Sequence, residues 1–507
     1  MKKVLFILVP VFLALAVSAN NIHVANVSVT GINTTSHSAM VKFDLSWDNS
    51  WRVTGGPKNW DAAWVFVKYR VQGQTSWSHA TLHYANGSGT GDGHLVPANA
   101  TIASSNDNPG GGANGVFIYH NTPMSQGSVS YTNTELRWDY GVNGVADNAQ
   151  VNVQVFAIEM AYVPQGGFYV GSGGKEVGAF YTYPDTTQPY YISSEAAITV
   201  GAANGQLYYK PTGSTDDYAG PIPAAFPKGF QAFYCMKYEI TQDQYVTFLN
   251  SLESVQASTR SGDAINRPNG RTIITSTGPG QYATSLPYVP MGEISFEDVS
   301  AYLDWCALRP MTELEYEKAC RGTNNPVPNE FSWGTPTLIG YNPLNGTSTP
   351  INYSLSNSGT ADEGIVNNYS PGPGNAMWLY SMGPVQGAFR AGIFAANTAN
   401  TGRVTAGSSF YGIMEMTGNV TEDLIPVGNA DGRSYNGHAG NGQLASNGTQ
   451  DENWPTLYTG GIGFRGGYYL EKSPTALMVS DRSTAVNIAS LLSGYAGFGG
   501  RGVRTAP

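Results

Sequence analysis

The stretch Phe410-Tyr411-Gly412-Ile413-Met414-Glu415-Met416-Thr417-Gly418-Asn419-Val420-Thr421-Glu422 decides how the chain is read. It follows neither helical spacing nor strand alternation. Gly412 and Gly418 allow backbone conformations that other residues resist, so the stretch reads as a tight loop. Asn419 and Glu422 bring hard side-chain oxygens and Val420 a backbone carbonyl, the donors that calcium prefers. Asn419, Val420 and Glu422 are therefore the candidate metal ligands and calcium the candidate cofactor. The competing reading is an asparagine that satisfies backbone groups and a salt-bridged glutamate.

Other stretches stand in order around this loop. Met160 to Gly171 reads as a strand ending in Gly-Gly-Phe-Tyr-Val-Gly, and Tyr238-Glu-Ile-Thr-Gln-Asp-Gln-Tyr-Val-Thr-Phe248 as a helix entry. Ile294 to Trp305 reads as a second helix and Arg309-Pro-Met-Thr-Glu-Leu-Glu-Tyr-Glu317 as the start of a third. Phe464-Arg-Gly-Gly467 and Gly502-Val-Arg504 close the chain. Together with the loop, these stretches resemble the formylglycine-generating enzyme (sulfatase-modifying factor) family over roughly residues 158 to 507. The resemblance implies a loop-rich C-type-lectin-like fold for that part of the chain.

Charged residues are only 12% of the 507, whereas 62 are Gly and 31 Tyr, a polar but weakly charged profile. A formal net charge of −10 with no basic stripe argues against nucleic acid as a partner. Lys2-Lys3, the apolar run Val4 to Val17 and the small residues Ser18-Ala19 form a secretory signal peptide over residues 1–19, with the cut before Asn20. No cysteine follows that cut and no later run has spanning length, so the expected location is secreted, periplasmic or cell-surface. Three cysteines are too few for a disulfide framework. Cys306 and Cys320 on consecutive helices are one candidate bridge; the alternative is that all three are small buried apolar side chains.

Residues 20–157 alternate as half-buried strands do, in Val41 to Asp48, in Val151 to Val155 and along Val65, Val67, Tyr69 and Val71. Turn-rich tracts at 86–93 and 106–112 separate these runs, which suggests an all-β sandwich acting as a spacer or interaction domain. In the C-terminal part, Tyr245, Phe248, Leu249 and Leu252 mark one helical face behind the caps Thr241 and Asp243. Ser295 with Asp298 and Thr312 with Glu315 supply caps for two more helices. Glu313, Glu315 and Glu317 read as capping and solvated positions in preference to an acid/base pair. Residues 323–410 read as ordered loop anchored by Trp333 and Trp378, the alternative being a disordered insertion. Asn429, Asp431 and Asn436 offer either a second oxygen cluster for calcium or ordinary turn chemistry. The expected class is α+β: an N-terminal sandwich followed by a C-type-lectin-like domain over 158–507.

Enzymes of the resembled family hold copper(I) with two active-site cysteines, a sensible donor pair because soft thiolates select that ion. The resemblance places those cysteines between the Arg-Gly-Gly motif and the final Gly-x-Arg. Here the segment holds none, so copper is not expected, and Met478 alone could not bind it. No histidine falls between residues 121 and 437, which leaves no pair for a non-haem iron site, and Ser480 with Asp481 lacks a histidine to activate it. What remains in 468–498 is Tyr468, Tyr469, Tyr495 and Phe498 among small residues, with Glu471 and Arg482 as charged members. Tyr with Ser and Gly is the mixture adaptable binding surfaces use; the bland alternative is a buried strand pair. C-type-lectin-like proteins diversified by retroelements carry their variable residues in the corresponding segment, as the resemblance implies. The expectation is an exported, non-catalytic binder of a protein or glycan ligand. Its rivals are an oxidoreductase with an atypical metal site and a cell-surface structural or adhesion component.

Overall fold

A computed structural model describes residues 22–210, 216–262, 270–343, 346–366, 372–379, 385–396, 400, 402–486 and 497–507. The signal-peptide segment and Tyr495 lie outside the described residues. The chain is α+β, rich in strand with a few short helices. Among the described residues no helix is long and apolar enough to cross a membrane.

Two sheets dominate. The smaller has three antiparallel strands in the order His23–Asn33, Ser38–Arg52, Met124–Trp138. The larger has eleven and runs from Gly463–Arg465 through Thr421–Ile425, Arg309–Thr312, Gly502–Thr505, Phe233–Met236 and Val151–Val163 to Asp61–Val71, Val116–His120 and Ala100–Ala103. Strand alternation explains how they stack. On Asp61–Val71 the residues Ala63, Val65, Val67 and Tyr69 meet Val41, Phe43, Leu45 and Trp47 of the smaller sheet in one apolar core. Ala62, Trp64 and Phe66 point the other way, into a second core with Tyr302, Leu303 and Trp305.

Val151–Val163 joins the two ends of the chain. It pairs with Asp61–Val71 from Val151↔Val71 to Ala161↔Asp61, and its last residues pair with Phe233–Met236 as well. Residue 158 therefore lies inside a continuous strand, and the N-terminal strands share the sheet of the C-terminal part.

The helices begin where their caps place them. Thr241 opens Gln242–Ser251, Ser295 opens Phe296–Trp305 and Thr312 opens Glu313–Arg321, each through a reciprocal capping box with the third helical residue. Trp333 and Trp378 are buried together in a third core with Phe331, Tyr353, Phe389 and Met478. Asn429 caps the short helix Ala430–Arg433 and Asn436 accepts from the His438 amide, so both act as turn formers. Cys235, Cys306 and Cys320 are free, buried thiols, and no bridge joins Cys306 to Cys320.

The expectation that Glu313, Glu315 and Glu317 are solvated is corrected by the packing. Glu313 and Glu317 are 0% exposed and Glu315 is equally enclosed. Glu315 does cap, and it also forms a two-armed pair with Arg309. Glu313, Glu317 and Arg321 fall on one face at i, i+4 and i+8. Arg465 bridges the two glutamates, donating to Glu313 at 2.8 Å and Glu317 at 3.0 Å. Arg482 donates twice to Glu313, at 2.7 and 3.0 Å, while Arg321 pairs with Glu317 and Glu330. Removing one carboxylate from such a set strands buried guanidinium charge. Glu317→Ala is expected to cost roughly 3–5 kcal/mol, or to prevent folding, as read by urea unfolding against wild type; a loss below about 1 kcal/mol, the scale of an exposed pair, would contradict the network's structural role.

Candidate functional site

The 410–422 loop is a frame for what surrounds it. Gly418 has φ +76°, and an added Cβ would lie 2.3 Å from the Met377 carbonyl oxygen, so no other residue fits without shifting that backbone. The Gly418 amide donates to Gly466 O and the Asn419 amide to Met377 O. Asn419 O in turn accepts from the Tyr469 amide at 2.9 Å. The loop thus fixes the Arg-Gly-Gly motif and the first residues after it.

The predicted metal ligands are placed as follows. Asn419 Oδ1 accepts from the Phe389 amide at 2.9 Å, and its Nδ2 donates to Glu239 at 2.7 Å. The Val420 amide donates to the other oxygen of Glu239. Glu422 Oε1 accepts from Arg501 at 2.6 Å, whereas its Oε2 has no hydrogen-bond partner. Glu415, a residue of the same loop at φ +53°, accepts from the Gly392 amide through Oε1 and leaves Oε2 without a partner. The carboxylate oxygens of this loop left without a partner are on Glu422 and Glu415, and the Asn419 side chain is already engaged.

Glu239, Glu415 and Glu422 surround the single guanidinium of Arg501. Burial pushes each carboxyl upward, and Arg501 opposes the shift in each. Glu415 is pushed up to about 7 from 4.5, burial being the largest cause and Glu422 adding to it.

The predicted ligand-binding residues divide into two groups. Tyr468, half-buried, stacks on Phe498 with ring centroids 6.3 Å apart, and Tyr469 lies 5.9 Å from Tyr468 edge-on. Phe498 sits in a short parallel strand opposite Thr421, so the loop, the tyrosines and the chain's end converge. Glu471 instead folds back onto the Lys472 and Ser473 amides and begins the short turn of helix Pro474–Leu477. Arg482 is buried in the ion network, with its guanidinium between the rings of Phe180 and Tyr209 at 4.3 and 4.2 Å. Tyr495 lies outside the described residues.

Periodicity gave no sign of Glu293 or Arg271. Glu293 is buried at φ +59°, a conformation rare outside glycine and asparagine, and its charge helps raise the Tyr469 phenol, whose shift burial dominates. A Cβ added at Gly270 would meet the Tyr469 hydroxyl at 2.2 Å and Glu293 Oε1 at 3.3 Å, which places Gly270, Glu293 and Tyr469 against one another. Arg271, also at positive φ, closes a two-armed ion pair with Glu363 beside them. Of this wall only Glu293 stands near a helix cap, Ser295, and that nearness does not reveal a site.

The sequence profile of the sulfatase-modifying factor enzyme 1-like domain matches residues 148–483, more than half of the chain. The chain belongs to that family. No curated protein matches it. Within this sulfatase-modifying factor domain the signature loop, the buried arginine of the Arg-Gly-Gly motif and the capped helices are the parts described above.

The raised carboxyl of Glu415 has a stability consequence. Its folded value lies above its unfolded one, so its contribution is full below about pH 4.5 and is lost as pH rises through about 7. With divalent cations chelated, Glu415→Gln is expected to be more stable than wild type at pH 8 and no more stable near pH 4.5. Thermal unfolding across that range checks the sign; a constant difference would contradict it.

Proposed function

We propose that this chain is an exported, non-catalytic ligand-binding member of the sulfatase-modifying factor family, with its binding surface in segment 468–498. One observation carries the reading. Between Arg465 and the end of the chain there is no cysteine, and the three thiols the chain has are spent in the scaffold. Cys235 lies in strand Phe233–Met236, Cys306 ends a helix and Cys320 lies inside another. Burial raises every one of these thiols, Cys320 to about 12, so none is poised as the thiolate that copper(I) requires. The residues present do not fit the family's copper pair.

Tyr468 suits a protein or glycan ligand, because a half-exposed phenol ring gives contact area at small entropic cost, while Tyr469 and Phe498 are buried and support it from below. Export rests on the residues 1–19, and the acidic balance gives no reason to expect nucleic acid. The strands of residues 20–157 serve, in this reading, as a sandwich-like spacer or interaction region. In this reading calcium lies at the loop that carries Asn419, Val420 and Glu422; the unpartnered oxygens of Glu422 and Glu415 support it as donors, and it would neutralise a carboxylate-rich pocket.

Purified protein supplied with copper(I), oxygen and a thiol peptide is expected to consume no oxygen beyond the protein-free control; sustained, thiol-dependent uptake would return the chain to the oxidoreductases. Calcium is expected to raise the unfolding midpoint, and Glu422→Gln to abolish the rise. A midpoint indifferent to both calcium and chelator would remove the ion from the loop.

A further inference from the structure

The strand Thr421–Ile425 has a second polar face, independent of the ligand reading. Side chains alternate along it, so Thr421 and Asp423 project on the side opposite Glu422. Asp423 is 1% exposed and Thr421 0%. Among the described residues no donor reaches either oxygen of Asp423, and Thr421 Oγ1 has no partner. Buried polar groups are almost always satisfied, so these orphan oxygens on one face need a ligand to account for them.

The walls of this niche offer none. Phe464 stands opposite Asp423 and Phe498 opposite Thr421, and the two rings meet edge-to-face at 4.9 Å. Gly500 brings no side chain; a Cβ there would lie 3.2 Å from Val299 and 3.5 Å from Asp423. The charged groups nearest Asp423 are the carboxylates of Glu422 and Asp298. Asp298 pairs with Arg260 at 2.9 Å and Glu422 shares Arg501, at 2.6 Å, with Glu239 and Glu415, so neither neighbour brings Asp423 a positive charge. Asp423 is thus a buried carboxyl with no cation of its own, walled by Phe464, Phe498, Val299 and Gly500. Burial first, then Glu422 and Asp298, raise its carboxyl well above the ordinary range.

We propose that Asp423 and Thr421 hold a single monovalent cation, sodium or potassium, behind the Tyr468–Phe498 stack. The donors are all oxygen, which selects a hard ion over a transition metal. A monovalent cation takes the place of the carboxyl proton and leaves the site neutral, whereas a divalent ion would leave a net charge buried. Calcium between Glu422 and Glu415 would sit on the other face of the same strand.

The test is thermal unfolding of the full chain at matched ionic strength in sodium, potassium and choline chloride, with a divalent chelator supplied as its choline salt. Wild type is expected to unfold about 2 °C or more higher in sodium or potassium than in choline, the better alkali salt naming the ion. Asp423→Asn is expected to lose that difference and Thr421→Val to diminish it. A wild-type midpoint independent of the cation, or an Asp423→Asn variant that keeps the full difference, overturns the proposal. If Asp423→Asn does not fold, sodium-23 line broadening by wild type decides. Broadening displaced by potassium and not by choline supports the site, and no excess broadening overturns it.

Discussion

Five buried charges, Glu313, Glu317, Arg321, Arg465 and Arg482, hold this molecule in register. Three come from one face of a nine-residue helix, one from the Arg-Gly-Gly strand and one from the segment that follows it. Each guanidinium finds a carboxylate and each carboxylate finds further donors, Gly171 N and Ser480 for Glu317 and Val427 N for Glu313. A set so nearly satisfied, with Arg465 Nε the one atom of these five side chains left without a partner, is rigid because each member is expensive to strand. In a domain made mostly of loop, that rigidity substitutes for long helices. It fixes where residues 465 to 482 begin and end, and so fixes the stretch carrying Tyr468 and Tyr469.

Around Arg501 the balance differs. Three carboxylates share one guanidinium, and two of them keep an oxygen without a donor. The five charges of the ion network sum to +1 and Glu330, paired with Arg321, balances them, whereas this pocket is left acidic. The same strand therefore carries electrostatic deficit on both faces, at Glu422 on one and Asp423 on the other, directly under the aromatic pair Tyr468 and Phe498. Cations placed there would stiffen the base of the binding surface without touching its ligand.

What was legible in the sequence was local. The three capping boxes are written within four residues each, and they begin the helices at Thr241, Ser295 and Thr312 as expected. The strand faces of Val41 to Trp47 and Val65 to Tyr69 follow from alternation alone. The loop's Gly412 and Gly418 announce their positive φ. What escaped depended on partners far along the chain. Glu313 and Glu317 look like solvated helix positions because their arginines lie about 150 residues away. Arg482 looks available for a ligand for the same reason, and Glu293 gains its meaning only when Tyr469 and Gly270 are folded against it.

The strand Val151–Val163 bears on how such a chain is inherited. Val151 to Ala161 lie against Asp61–Val71, the last four residues pair with Phe233–Met236, and the family match opens just before the strand, at residue 148. A recombination junction placed after residue 157 would split that strand and leave Trp64 and Phe66 facing water. The N-terminal layers and the sulfatase-modifying factor domain therefore make poor interchangeable cassettes. Homologous shuffling would have to move them together.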